Sequence, residues 1–234
     1  MKNPIICALD TKDIQQAKNL AVSLKENIAM VKCGLEFFTT NGAEGIKEVA
    51  STGLDIFLDL KFHDIPNTVA EAIRSAVSLN VRIITIHTLG GKTMMQAAAK
   101  AAKEEADKLG IKKPLIVGVT VLTSMDDQEL EGIGINQAAP QQVRILAKLA
   151  KESGLDGIVC SPHEIKLVRE ACGNDFVTVV PGIRPTSSAT DDQKRVMTPK
   201  EAVDNGADYI VIGRPITKSV YPQNSAKEIF ESLF

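Results

Sequence analysis

Short apolar runs rich in β-branched residues recur at 5–9, 28–33, 55–60, 82–87, 114–120, 156–160, 176–180 and 208–213. The segments between them carry helical spacing. Ile14, Ala17, Leu20, Ala21 and Leu24 share one helix face, as do Val143, Leu146, Ala147 and Ala150. Each intervening segment is long enough to cross over between parallel strands. Eight such units predict an α/β fold, a (β/α)8 TIM barrel forming a single domain over residues 1–234. An open doubly wound sheet is the alternative, but Asp10-Thr11-Lys12-Asp13 follows the first run where a glycine-rich dinucleotide turn would stand. A weak repeat marks three helix-to-strand turns: Gly53-Leu54-Asp55, Gly154-Leu155-Asp156 and Gly206-Ala207-Asp208. Glycine just past a helix end adopts the left-handed conformation cheaply, which accounts for the repeat.

The third run ends in Asp59-Leu60-Lys61-Phe62-His63-Asp64, with two carboxylates and an ammonium where a strand leaves a core. Strand alternation predicts that Asp59 and Lys61 share one face while Leu58 and Leu60 take the other. Buried charges cost several kcal/mol each unless repaid, so this cluster reads as a site in preference to an internal salt bridge. Pro66 suits a first helical turn, and the turn before it can direct Asp64 or Thr68 towards another surface.

Active sites of such barrels lie at the carboxyl ends of the strands, and these ends are polar here: Asp10, Lys32, Asp59, Lys61, His87 and Thr123-Ser124. Singly each has a plainer reading. His87 could be a satisfied core imidazole and Asp10 a cap for the helix starting near Ile14. After the last two runs come Pro181-Gly182-Ile183-Arg184 and Gly213-Arg214-Pro215, at the usual phosphate-binding loops; the glycines let backbone N–H groups approach an anion, and Arg214 can fork onto it or pair with a neighbouring acid. The polar connection 184–198, with Thr186-Ser187-Ser188 and Gln193, reads as a lid.

Composition narrows the partners. The chain has no Trp and only two Tyr, and its net charge of −2 is spread along its length, which argues against a nucleic-acid footprint. Cys7, Cys33, Cys160 and Cys172 form no CxxC pair and read as reduced, buried thiols of a cytoplasmic protein. The apolar stretch near the N-terminus is too short for a signal peptide, and no run reaches membrane-spanning length.

The motifs ALD at 8–10, VKCG at 31–34, DLKFHDIPNT at 59–68, VTVLTSM at 119–125, VCSPHE at 159–164, PGIRP at 181–185, DDQKRVMTP at 191–199 and IGRPIT at 212–217 resemble the orotidine 5'-phosphate decarboxylases, in their short bacterial monofunctional form. The resemblance spans essentially the whole chain. It implies cofactor-independent conversion of orotidine 5'-phosphate to uridine 5'-phosphate, the last step of UMP synthesis, with no metal. It implies a homodimer whose sites lie at the interface, each receiving Asp64, Ile65 and Thr68 from the other chain. Lys32, Asp59, Lys61 and that Asp64 would form an alternating charged array with Lys61 as proton donor. Asp10 and Lys32 would hold ribose hydroxyls, Ser124 the pyrimidine edge, and Gln193, Gly213 and Arg214 the phosphate. Thr123, Pro181 and Arg184 would complete the binding shell. Val180 and Thr190 depart from the family's usual Thr and Gly, which bears on the lid and not on the charged array.

Two other functions compete. A magnesium-dependent sugar-phosphate decarboxylase such as 3-keto-gulonate-6-phosphate decarboxylase shares the Asp-x-Lys-x-x-Asp core, but Lys32 occupies the region that carries a metal-binding carboxylate there and would repel a cation. A non-catalytic nucleotide-phosphate binding barrel would be expected to have lost part of the charged array, and no member is missing.

Overall fold

The computed structural model describes residues 3–185 and 197–234. Its strands are β1 (Ile5–Ala8), β2 (Met30–Gly34), β3 (Asp55–Phe62), β4 (Ile83–His87), β5 (Leu115–Val119), β6 (Gly157–Val159), β7 (Val177–Val180) and β8 (Tyr209–Ile212). All run parallel, each beside its neighbour in sequence, and β8 closes on β1 through Ile5↔Ile210 and Cys7↔Ile212. Around them lie α1 (Ile14–Leu24), α2 (Leu35–Ala50), α3 (Pro66–Val77), α4 (Gly91–Leu109), α5 (Asp127–Gly132), α6 (Ala139–Glu152), α7 (Ile165–Cys172), α8 (Pro199–Asp204), α9 (Arg214–Thr217) and α10 (Pro222–Glu231). Each apolar run of the sequence is a strand, and the closed (β/α)8 barrel replaces the open-sheet alternative.

Two cores follow from strand alternation. Ile6, Ala8, Met30, Phe57, Ile83, Val117, Val179, Tyr209 and Val211 fill the barrel lumen, while Cys7, Val31, Ile56, Leu58, Ile84 and Ile210 face the helices. All four cysteines are free and buried in that outer layer. Burial pushes the Cys7 and Cys33 thiols up to about 12, so both stay protonated and unreactive at neutral pH. Val180 also faces the helices.

The expected helix-end glycines have positive φ: Gly154 and Gly206 directly follow the caps of α6 and α8, and Gly53 comes one residue later past α2. Two of the aspartates that follow, Asp156 and Asp208, stitch the bottom of the barrel. Asp156 accepts the Ile116 N–H at 2.8 Å, and Asp208 accepts the Thr178 N–H at 2.7 Å and an Arg169 N–H at 2.6 Å. No helix among the described residues is long and apolar enough to cross a membrane.

Candidate active site

The lumen that is apolar at the level of Met30 and Phe57 becomes charged one inward position further on, at Lys32 and Asp59. The Asp59 carboxylate accepts a hydrogen bond from Lys61 Nζ at 2.9 Å through Oδ1 and faces Lys32 Nζ at 3.4 Å through Oδ2. Lys32 in turn lies 4.0 Å from Asp10. The result is an alternating row, Asp10, Lys32, Asp59, Lys61, whose middle members Lys32 and Asp59 are the most buried. Burial would raise the Asp59 pKa, but the Lys32 and Lys61 charges, with hydrogen bonds from Lys61 and Thr85, override it and hold the carboxyl below its ordinary range. Asp59 is therefore ionised at neutral pH.

Simple alternation is not what puts Lys61 in this row. Pairing of β3 with β4 runs through Leu58↔Ile84 and resumes only at Phe62↔Ile86, so three residues of β3, Asp59 to Lys61, stand opposite the single Thr85 of β4. Lys61 sits in this bulge with φ of +51°, a left-handed conformation uncommon for a residue with a Cβ. The backbone N–H of Lys61 is taken by the Thr85 hydroxyl at 2.8 Å. The face expected for Lys61 is right, but a bulge and not a regular strand supplies it.

Asp10 does not cap α1: the Asp13 carboxylate accepts the Gln16 N–H at 2.9 Å and does that work, leaving Asp10 on the cleft. His87, at the end of β4, stacks on His63 with ring centroids 5.3 Å apart. Burial first, then the His63 and Lys61 charges, push its pKa down to about 4, so it is neutral at working pH. Its Nδ1 accepts the Leu89 N–H at 3.3 Å.

The row opens into a cleft of about 270 Å³ at the carboxyl ends of the strands. Of the residues expected there, Asp10, Lys32, Asp59, Lys61, Thr123, Pro181, Arg184, Gly213 and Arg214 line it together with Gly182. Ser124 is exposed beside Thr123 and does not line the cleft. Asp64, Ile65 and Thr68 are exposed on the outer turn and start of α3, where the Asp64 carboxylate accepts the following N–H at 2.7 Å. Pro66 opens that helix as expected. Most of the expected lid, including Thr190 and Gln193, lies outside the described residues. Its two ends meet at the rim, where the Arg184 N–H donates to the Met197 carbonyl at 3.0 Å.

Sequence reasoning missed the apolar walls, Phe57, Val119, Val159, Val179 and Val211, which strand alternation could have supplied. It also missed Thr85 and Gly34. A Cβ at Gly34 would stand 3.0 Å from Lys32 Nζ, so glycine there leaves the ammonium its place. Among the described residues no group of three His, Cys, Asp or Glu side chains is placed to hold a metal ion.

The family model described as orotidine 5'-phosphate decarboxylase / HUMPS family matches residues 3–229. The chain belongs to this family. It is 50% identical over 229 residues to the protein named orotidine 5'-phosphate decarboxylase of Rhodospirillum rubrum, covering 97% of this chain and 93% of that one. The similarly named protein of Ehrlichia canis is 51% identical over 231 residues, covering 99% and 98%. Among solved structures, the orotidine 5'-phosphate decarboxylase of Lactobacillus acidophilus superposes with a TM-score of 0.87 at 37% identity, covering 99% of both chains. The family indicated by DLKFHDIPNT, PGIRP and GRPIT is thus the family found.

Proposed function

We propose that the protein converts orotidine 5'-phosphate to uridine 5'-phosphate and CO2 in the cytoplasm, as the last step of UMP synthesis, with no metal or organic cofactor. The observation that carries this reading is the Asp59 carboxylate held between the Lys61 and Lys32 ammonium groups at 2.9 and 3.4 Å, in a barrel of this family.

Breaking the bond from ring carbon 6 to the carboxylate leaves an electron pair on that carbon, in an orbital that cannot delocalise into the ring carbonyls. Electrostatic stabilisation at the atom itself is what remains. A fixed ammonium supplies it with little reorganisation, because its charge and direction are set before the bond breaks. Lys61 is the group for this: the Asp59 carboxylate accepts its hydrogen bond at 2.9 Å and holds it in place. It then passes a proton to carbon 6, releases uridine 5'-phosphate, and is reprotonated from solvent.

The remaining residues bind. Asp10 and Lys32 take ribose hydroxyls, and Thr123, Pro181 and Arg184 complete the shell; Ser124, exposed beside Thr123 and outside the cleft lining, would have to turn inwards to meet the pyrimidine edge. Gln193, Gly213 and Arg214 take the phosphate, whose binding energy helps assemble the site around the ring. The exposure of Asp64, Ile65 and Thr68 outside their own cleft supports a homodimer in which they enter the other chain's site and extend the charged row beyond Lys61. A cation-assisted reaction is disfavoured by Lys32, whose ammonium occupies the approach to Asp59 Oδ2.

Mixing two inactive variants tests the shared site. Lys61→Ala chains keep Asp64 and Asp64→Ala chains keep Lys61, so a heterodimer contains one intact site. Equal mixing should restore about a quarter of the wild-type activity, since half the dimers are mixed and each has one working site of two. A mixture no more active than its parts would show that Asp64 serves its own barrel.

A further inference from the structure

Thr85 lies on β4 with no solvent exposure, one inward position above Ile83, and its hydroxyl makes two hydrogen bonds. It accepts the backbone N–H of Lys61 at 2.8 Å and donates its own proton to Asp59 Oδ1 at 3.0 Å. A threonine hydroxyl offers one donor and two acceptor lone pairs, so both capacities are directed at the two residues around which the charged row is built.

The geometry forms a ring. The Lys61 side chain leaves the backbone that Thr85 holds, and its Nζ returns to the same Asp59 oxygen that Thr85 contacts. At this point the β3–β4 ladder is interrupted, so the Lys61 N–H has no strand carbonyl opposite it. The Thr85 oxygen takes that carbonyl's place. A left-handed lysine persists only where its surroundings hold it, and this hydroxyl holds its backbone N–H.

We propose that Thr85 is a positioning residue of the reaction, its hydroxyl fixing at once the bulge that aims the Lys61 ammonium and the carboxylate that grips it. Its effect on rate rests on the decarboxylase reading, whereas its effect on Lys61 rests on the geometry alone.

Thr85→Val keeps shape and removes the hydroxyl; Thr85→Ser keeps the hydroxyl and removes the methyl. Turnover of orotidine 5'-phosphate by both is measured beside wild type, together with hydrogen exchange of the Lys61 backbone amide by NMR. Because displacing a reacting group by about 1 Å costs on the order of 100-fold, Thr85→Val should lose between about 10- and 100-fold in kcat with KM changed less than about twofold. Its Lys61 amide should exchange faster, and Thr85→Ser should stay near wild type in both readouts. Wild-type kcat in Thr85→Val, an equal loss in Thr85→Ser, or a change confined to KM overturns the proposal. If Thr85→Val does not fold, Thr85→Ala against Thr85→Ser makes the same comparison at smaller volume. If wild type itself does not turn over the nucleotide, the decarboxylase reading has failed, and the Lys61 amide decides the rest: faster exchange without the hydroxyl supports the positioning role and unchanged exchange refutes it.

Discussion

Replacing Asp59 by asparagine keeps the shape of the side chain and removes its charge. In the native cleft this carboxylate serves Lys61 Nζ at 2.9 Å, the Thr85 hydroxyl at 3.0 Å and Lys32 Nζ at 3.4 Å. Two unit charges 4 Å apart attract by about 4 kcal/mol at an effective dielectric near 20, so the substitution removes two attractions of that order. Part returns because a carboxylate no longer has to be desolvated. Removing one partner of a fully buried ion pair costs about 3–5 kcal/mol net. Lys61 keeps 32% of its side chain in solvent, which screens its share, so the destabilisation should be about 2 kcal/mol. For a chain of this size that lowers Tm by about 4–8 °C.

The rate should suffer more than the fold, because asparagine presents an amide to two ammonium groups and no longer fixes Lys61. A fall in kcat of about 100-fold is expected from its misplacement, measured on folded protein well below Tm. The pH dependence has a definite sign. The folded-state pKa of Asp59 is depressed, so its contribution to stability is fully present above the unfolded value of about 3.9 and is lost as pH falls through the folded value. The Tm gap between wild type and Asp59→Asn should therefore close in acid below that range. A variant with unchanged Tm and kcat within about twofold of wild type would refute the idea that this carboxylate organises the cleft.

Arg214→Ala should weaken the site without loosening the fold. Charge-assisted hydrogen bonds to a phosphate are worth about 1.5–3 kcal/mol, so kcat/KM should drop by roughly 10- to 150-fold, and unchanged affinity for uridine 5'-phosphate would move the phosphate elsewhere. Arg169 should show the reverse. At the opposite end of the barrel it donates to the Gly206 and Phe176 carbonyls at 2.6 and 2.7 Å and to Asp208 at 2.6 Å. Arg169→Ala removes these hydrogen bonds and an ion pair whose carboxylate is partly in solvent, which should cost about 2–3 kcal/mol by chemical denaturation and leave kcat of the folded enzyme near wild type. Loss of kcat without loss of stability would contradict that division of labour.

The barrel was legible because its strands announce themselves as separate apolar runs and each crossover carries its own helical face. Asp59 and Lys61 were legible because charge inside such a run is costly to bury unless a site uses it. Thr85 was not, since a threonine between Ile84 and Ile86 reads as ordinary strand filling, and only the bulge opposite gives it work. That bulge is itself a tertiary event: nothing in Leu60-Lys61-Phe62 distinguishes a left-handed lysine from an extended one. Asp10 read equally as a cap for α1 or as a cleft residue until the structure gave the capping role to Asp13. In the Gly-x-Asp repeat the glycine's role could be read from its backbone freedom. The role of Asp156 and Asp208 could not, because the strand each bonds is fixed only when the barrel closes.

Metal-free decarboxylation through Lys61 is tested most directly by the loss of orotidine 5'-phosphate absorbance with EDTA-treated wild-type protein, run beside Lys61→Ala. Wild type should convert the nucleotide rapidly to uridine 5'-phosphate, unaffected by added magnesium, and the variant almost not at all even though it still binds the product. Conversion that requires magnesium, or comparable turnover by Lys61→Ala, would contradict the proposed chemistry.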